Sequence, residues 1–249
     1  MLILLPPSET KRAGGAEGTV LDLAQLSHPT LAAPRRAVLS AVRKLSQNLT
    51  TMSAALKLGP SQHFELLRNR ELRASPTLAA IDRYTGVLYD ALDSPTLTDV
   101  AREFATGRLL IHSALFGLLG AADPIPAYRL SHDSRLPELS LRQSWRAPIS
   151  GALGAHEGLI LDLRSEAYVD LGPVPKGSNA FYLRVVSEGP DGRKRALNHF
   201  NKKGKGAFVR RILEAGVDHD SVDTLLVWAA GSGLGLTRLG DTELELVVD

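Results

Sequence analysis

The 249-residue sequence contains no cysteine. Disulfide bonds, thiol nucleophiles, cysteine-ligated zinc and iron–sulfur clusters are therefore excluded, and nothing in the composition indicates an exported, cross-linked domain. No run approaches the roughly 18 apolar residues of a membrane-spanning helix. The start, Met-Leu-Ile-Leu-Leu, is too short for the core of a signal peptide and lacks a basic flank. We therefore expect a cytoplasmic protein with no membrane partner.

The familiar catalytic and metal-binding motifs are also missing. The seven histidines show no ligand spacing, so we predict no metal site. There is no Gly-x-Ser-x-Gly turn, and the adjacent His112 and Ser113 would point to opposite faces of a strand, which prevents a base–nucleophile pair. The glycine-rich run 231–236 lacks the Lys-Ser/Thr of a phosphate-binding loop and is better interpreted as a hairpin. We expect no bound cofactor, and a non-enzymatic function is favoured.

The charge is unevenly distributed, although the formal net charge is only +2. Residues 176–211 carry ten Lys and Arg against two acids, and residues 34–73 carry eight against two. Residues 212–249 reverse this balance, with one Arg against eight acids. Two basic segments and one acidic segment favour an oriented electrostatic field over a neutral surface.

The most informative stretch is 198–211, which follows a strand-like run and leads into a helical pattern from Phe208 onward. We expect its three lysines on the first turn of that helix, where the positive end of the helix dipole disfavours cations. An anion bound to free backbone N–H groups and to the lysines would resolve the conflict. A solvated basic helix start is the alternative. The predicted phosphate contacts here are Lys202, Lys203, Gly204, Lys205, Gly206, Arg210 and Arg211.

A second basic turn joins two helices predicted within the segment 34–75. It contains Lys57, Gly59 and Ser61, and helix-hairpin-helix modules use such a turn to offer backbone N–H groups to DNA phosphates. The alternative is an ordinary glycine C-cap followed by a serine N-cap, and this alternative is favoured when the turn is considered alone. After the turn, in the third helix, we place Phe64, Leu67 and Leu72 in the core.

The predicted elements mix strands and helices without a regular βαβ alternation, which favours an α+β fold in one domain, 1–249. Short apolar runs predict strands at 1–5, 108–114, 159–163 and 225–230. Strands at 181–186 and 194–200 flank Gly-Pro-Asp-Gly, a strong hairpin signal. The basic hairpin and the helix after it form the segment 176–215.

Seven short motifs are spread in order over nearly the whole chain. They are Met1–Ser8, Tyr84–Tyr89, Ser113–Leu119, Asp123–Leu130, Trp145, Leu163–Tyr168 and Lys202–Gly206. In this order they resemble the YaaA family of peroxide stress proteins. Each motif is weak alone, but the ordered set is fairly specific.

The resemblance implies a mixed sheet with flanking helices, a helix-hairpin-helix element, a basic cleft that binds DNA, and a role in limiting iron-driven oxidative damage. Because the chain has no cysteine, such protection cannot use a peroxidatic thiol. Two departures from the family pattern change the charge of the expected cleft: Ser131–Asp133 replaces the usual Glu-Met-Gly, and the early lysine is displaced to Lys11, with Glu9 near its usual place. The family positions are met by Tyr84, Gly86, Tyr89, Tyr128, Arg129, Leu130, Ser165, Tyr168, Lys203, Lys205 and Gly206.

The leading hypothesis is a sequence-independent DNA-binding protein of the peroxide response, whose basic side chains contact phosphates of double-stranded or distorted DNA. Few aromatic residues, 5% of the chain, make stacking on single strands a weak contribution. The alternative is an enzyme acting on a small phosphorylated or nucleotide-like ligand; a polar core without any site is a third interpretation. Convergence in one pocket capped by Lys203 and Lys205 would favour the enzyme. The candidate cleft residues are Tyr84, Tyr89, Ser113, Arg129, Ser165 and Tyr168.

Overall fold

The computed structural model describes residues 1–188, 194–195 and 198–248, which are built around one mixed β-sheet. The protein's strands are β1 (Leu2–Leu5), β2 (Leu78–Ala79), β3 (Leu109–Ser113), β4 (Gly117–Gly120), β5 (Pro124–Ile125), β6 (Ile160–Asp162), β7 (Ala180–Glu188), β8 (Lys194–Arg195), β9 (Gly235–Arg238) and β10 (Glu243–Val248). Its α-helices are α1 (Ala32–Leu45), α2 (Leu49–Leu56), α3 (Phe64–Arg70), α4 (Ala80–Arg83), α5 (Val87–Leu92), α6 (Asp99–Thr106), α7 (Leu141–Gly154), α8 (Glu166–Leu171), α9 (Asn198–Ala215) and α10 (Val222–Gly231).

The strand order of the sheet is β4-β3-β1-β6-β7-β10-β9, and β8 pairs with the end of β7. The inner strands β3, β1, β6, β7 and β10 are parallel, whereas β4 and β9 are antiparallel to their neighbours. Strands β2 and β5 form a separate antiparallel pair. This mixed sheet with flanking helices confirms the predicted α+β fold.

The apolar runs form the central strands because parallel strands are covered on both faces. Residues of β3 and β6 are buried throughout, as is β1 except for the half-buried Leu2. The predicted hairpin is confirmed, since β7 and β8 pair antiparallel through Ser187–Arg195 and Glu188–Lys194. The predicted second strand, 194–200, is wrong at 198–200, which are the first residues of α9. The turn itself, 189–192, lies outside the described residues.

Three other local predictions are wrong. The glycine-rich run 231–236 is not a hairpin, because it joins α10 to β9. The run 225–230 is the middle of α10: Leu225 and Ala229 are buried one helical turn apart, while Val227 is 75% exposed. A short apolar run does not distinguish a strand from one face of a helix. Leu72 is buried as expected, but Phe64 and Leu67 are 52% and 54% exposed. The opposite face of α3 packs inward through Leu66 and Asn69. Among the described helices, none is long and apolar enough to cross a membrane.

Candidate phosphate-binding cavity

A cavity of about 830 Å³ opens at the carboxyl ends of β1 and β6. Ser8 and Glu9 from the loop after β1, and Leu163 and Ser165 from the loop after β6, contribute to its lining. The chain adds β3 on one side of β1 and later β6 on the other side. Ligands of open α/β sheets bind in the crevice at such a reversal of strand order, outside the carboxyl ends of the strands. The topology therefore makes this cavity the candidate site.

Tyr89 and Tyr168, two of the predicted cleft residues, form part of the cavity wall. Tyr89 Oη donates a hydrogen bond to the Pro6 carbonyl oxygen at 2.8 Å. The Tyr168 ring packs edge-on against His112 and His132, with ring centroids 5.3 and 5.5 Å away. Burial raises the pKa of both tyrosines well above 10. Both phenols therefore stay neutral at physiological pH.

Tyr84 and Ser113 do not line the cavity but belong to a buried chain of hydroxyl groups beside it. Tyr128 Oη lies 2.8 Å from Tyr84 Oη and 2.7 Å from Ser113 Oγ. Ser113 Oγ also accepts hydrogen bonds from the backbone N–H groups of Leu115 and Phe116, at 3.1 and 3.0 Å. These two bonds occupy its lone pairs, so Ser113 donates its proton to Tyr128. The chain of hydroxyls thus holds the segment after β3 against Tyr84.

The buried Lys11 organises the loop after β1. Its Nζ donates to the carbonyl oxygens of Ser8 and Glu9, at 3.0 and 3.2 Å, and lies 4.0 Å from the ring centroid of Tyr128. Burial lowers the pKa of Lys11 to about 7. The Glu9 carboxylate forms an ion pair of 2.7 Å with Arg129. Arg129, predicted to line the cleft, does not line the cavity but contacts the lining residue Glu9.

The expected position of the three lysines on a first helical turn is wrong. Helix α9 begins at Asn198, so the lysines lie in its second and third turns. Backbone N–H groups there bond to carbonyl groups four residues earlier, and the predicted cradle of free N–H groups does not form at Gly204 and Gly206. Tertiary packing extends the helix through these two glycines in spite of their low helix propensity.

Both glycines are required by close packing on either side of Lys205. A β-carbon at Gly204 would lie 2.8 Å from Val185 Cγ1 and 3.0 Å from Val248 Cγ1, and one at Gly206 would overlap the carbonyl oxygen of Leu88. Helix α9 therefore approaches the sheet and α5 closely at this point. The result is that the lysine between the glycines is 5% exposed and lines the cavity.

Lys205 Nζ donates to the Leu163 carbonyl oxygen at 3.0 Å and lies 5.4 Å from the ring centroid of Tyr182. Burial lowers the pKa of Lys205 from 10.5 to about 8, although Asp162 acts in the opposite direction. A fraction of this amine is therefore neutral near physiological pH. Lys205 is chemically distinct from an exposed lysine.

The other predicted basic residues of α9 lie in different surroundings. Lys202 is exposed and lines the cavity, whereas Lys203 is exposed outside it. Arg210 is ion-paired with Glu214 at 2.8 Å and bonds to backbone oxygens at the end of α5. Arg211 donates to the Ser232 carbonyl oxygen at 3.0 Å. The structure thus brings Lys202 and Lys205 to the cavity and commits the two arginines to contacts within the protein.

The turn at 57–61 does not line the cavity. Lys57, with φ of 54°, is the C-cap of α2, and Gly59 precedes a 3-10 turn that contains Ser61, so the expected glycine C-cap and serine N-cap are wrong. Lys57 Nζ is 2.6 Å from Asp133 Oδ2, and the Gly59 N–H donates to Gln62 Oε1 at 3.3 Å. Phosphate binding by Lys57, Gly59 and Ser61 stays a prediction.

A buried charge network behind the β6 loop was not found by sequence reasoning. The Arg164 guanidinium contacts both carboxylate oxygens of Asp162, at 2.9 and 2.6 Å, His112 Nδ1 at 3.0 Å and the Gly172 carbonyl oxygen at 2.8 Å. Burial and the neighbouring guanidinium lower the pKa of His112 well below 6.5. The network fixes the loop that carries Leu163. Polar residues alternating at the end of an apolar strand were its only sequence signal.

The cavity therefore presents two cations, Lys202 and Lys205, together with hydroxyl groups and the carboxylates of Glu9 and Glu166. This combination suits a ligand that carries a phosphate and further polar groups. Within the described ranges, no three His, Asp or Glu side chains come close enough together to hold a metal ion.

Comparison with known proteins identifies the family. Residues 1–230 match the family described as peroxide stress protein YaaA. A UPF0246 protein of Corynebacterium glutamicum is 41% identical over 241 residues, covering 94% of each chain. A UPF0246 protein of Streptomyces coelicolor is 40% identical over 220 residues, covering 87% of this chain and 84% of the relative. The ordered motifs and these matches agree, and the chain belongs to the YaaA family of peroxide stress proteins.

Proposed function

We propose that this protein serves the peroxide response by binding the phosphate backbone of DNA without recognising base sequence. The observation that carries the proposal is the pair Lys202 and Lys203, which are exposed on α9 and have no acidic partner among the described residues. They lie in the segment 176–211, with its ten basic and two acidic residues. Clustered, unpaired cations on one helix are the electrostatic feature that phosphate contacts require.

The structure reduces the number of predicted phosphate contacts. Lys205 is buried in the cavity, and Arg210 and Arg211 are bonded within the protein. Lys202 and Lys203 remain, and together they would neutralise about two phosphates, for which the logarithm of affinity falls with the logarithm of salt concentration at a slope of about −1.8.

The test is a binding titration with duplex, bulged duplex and single-stranded DNA of equal length between about 50 and 200 mM salt. We expect duplex and bulged duplex to bind more tightly than the single strand. The Lys202→Ala/Lys203→Ala variant should reduce the salt slope by nearly two, and Lys44→Ala, which removes an exposed lysine already paired with Glu138, should leave it unchanged. Binding that is independent of salt, or unaffected by the double substitution, would show the proposal to be wrong.

The cavity supports a second candidate function, the binding or conversion of a small phosphorylated molecule. Tyr89, Ser165 and Tyr168 converge there with Lys202 and Lys205, although Lys203 does not cap the cavity. Titration calorimetry with nucleoside and sugar phosphates tests this candidate directly. Binding that is weakened by Tyr168→Phe and by Lys205→Met would support it, and the absence of binding for every phosphate compound would exclude it.

A further inference from the structure

Among the described residues that line the cavity, Lys205 is the one strong nucleophile that is shielded from bulk water. It is 5% exposed, and its helix is held against the sheet and α5 by Gly204 and Gly206. A lysine that is desolvated and held in place is the type that condenses with carbonyl compounds. Lys202, three residues earlier and exposed, has no such restriction.

The contacts of Lys205 leave it able to react. In its neutral form the amine uses one N–H for the Leu163 carbonyl oxygen, 3.0 Å away, and keeps a lone pair for a carbon electrophile. The Tyr182 ring, 5.4 Å from Nζ, covers another side of the amine. The nearby Asp162 does not compete, since Arg164 occupies both of its carboxylate oxygens.

Groups that transfer protons and bind phosphate are present in the same cavity. The Glu166 carboxylate is 83% exposed and lines the same cavity as Lys205. It can accept a proton from the attacking amine and return it to the departing oxygen. The Lys202 ammonium and the Ser165 hydroxyl are available to a phosphate group.

We propose that the cavity takes a phosphate-bearing aldehyde and that Lys205 captures it as an imine. The Nζ lone pair attacks the carbonyl carbon, a proton moves from nitrogen to oxygen to give a carbinolamine, and loss of water forms the C=N bond. No oxidant or reductant is needed, and water reverses the reaction. The inference rests on the cavity being the ligand site. Two sources share the chemistry: the ring-opened sugar at an abasic position in DNA, and a free sugar phosphate.

Reductive trapping tests the proposal. The full-length protein is incubated with sodium cyanoborohydride and either a duplex containing one abasic site or ribose 5-phosphate, and the modified lysine is located by peptide mass spectrometry. We expect a stable secondary amine at Lys205, formed on the order of tenfold or more faster than at any exposed lysine, because more of its amine is neutral. Lys205→Met should abolish this adduct, and Lys176→Met, which removes an exposed lysine, should retain it.

The arms of the experiment separate the sources. An adduct with the abasic duplex alone assigns the ligand to DNA, and one with ribose 5-phosphate alone assigns it to a free sugar phosphate. Absence of an adduct in both arms, or modification spread evenly over exposed lysines, overturns the proposal. Because the adduct is mapped in the wild-type protein, the result does not depend on folding of the variant. Failure of intact duplex to bind in the salt titration would refute the DNA-binding proposal but leave the ribose 5-phosphate arm intact.

Discussion

Gly206 of α9 lies directly against the carbonyl oxygen of Leu88 in α5, with no room for a β-carbon between them. The atom it would meet belongs to the backbone, which cannot rotate away as the end of a side chain can. This contact and the packing of Gly204 against Val185 set the depth of α9. Because α9 lies this close to α5 and to the sheet, the side chain of Lys205 reaches the cavity. The Lys-Gly-Lys-Gly segment 203–206 of this chain is thus a packing motif that presents one lysine, Lys205, to the cavity.

Gly206→Ala is expected to destabilise the protein by about 2 kcal/mol or more, because α9 and α5 must separate to admit a methyl group. The measurement is the free energy of unfolding from urea denaturation. Gly151→Ala is the matched control: Gly151 also lies within a helix, α7, but a β-carbon there has no heavy atom within 4 Å. This control should stabilise the protein by about 0.5–1 kcal/mol through helix propensity. Equal effects of the two substitutions would contradict the packing argument.

The central sheet could be predicted because its signals are local. The apolar runs at 1–5, 108–114 and 159–163 contain β1, β3 and β6, since a strand covered on both faces needs apolar residues at successive positions. The hairpin at 181–195 was marked by its turn residues. The position of Ser165 and Tyr168 is also local in origin. They follow β6, whose carboxyl end lies where the strand order reverses, and both line the cavity there.

The remaining features depend on residues distant in sequence. The start of α9 could not be predicted because Gly204 and Gly206 have low helix propensity, and only their close packing against α5, β7 and β10 favours glycine there. The contact of Arg164 with His112 joins residues 52 positions apart. Burial of Lys11 likewise requires Tyr128 to lie beneath it. Because the sequence alone does not show the contact partners of Arg164 and Lys11, it gives no means of distinguishing these residues from surface residues.

Arg164→Met is expected to reduce the free energy of unfolding by about 3–5 kcal/mol, because it leaves the buried Asp162 carboxylate without its guanidinium. The double variant Asp162→Asn/Arg164→Met removes both charges and should lose less than the sum of the two single losses. Urea denaturation of the wild type, of Arg164→Met, of Asp162→Asn and of the double variant gives the four unfolding free energies of the cycle. Additive losses would mean that the pair does not contribute as a unit.

The stability of the protein should rise with pH above 7 because of Lys11. Burial lowers the pKa of Lys11 in the folded protein to about 7, whereas an unfolded lysine titrates near 10.5. Between these values the unfolded chain binds more protons, so raising the pH favours the folded state, by at most about 1.4 kcal/mol per pH unit. Lys11→Met removes this contribution. The difference in unfolding free energy between wild type and variant should therefore change between pH 7.5 and 9, in favour of the wild type at pH 9.

Two exposed ion pairs provide a matched test of the turn at 57–61. Asp133 pairs with Lys57 at 2.6 Å, and Glu138 pairs with Lys44 at 2.8 Å. Asp133→Asn and Glu138→Gln each remove one negative charge and free one lysine, and both should change stability by less than about 1 kcal/mol. If Lys57 contacts a DNA phosphate, only Asp133→Asn should tighten duplex binding and steepen the salt slope, by about 0.9. Equal effects of the two substitutions in the salt titration would mean that net charge alone is responsible and that the turn makes no contact of its own.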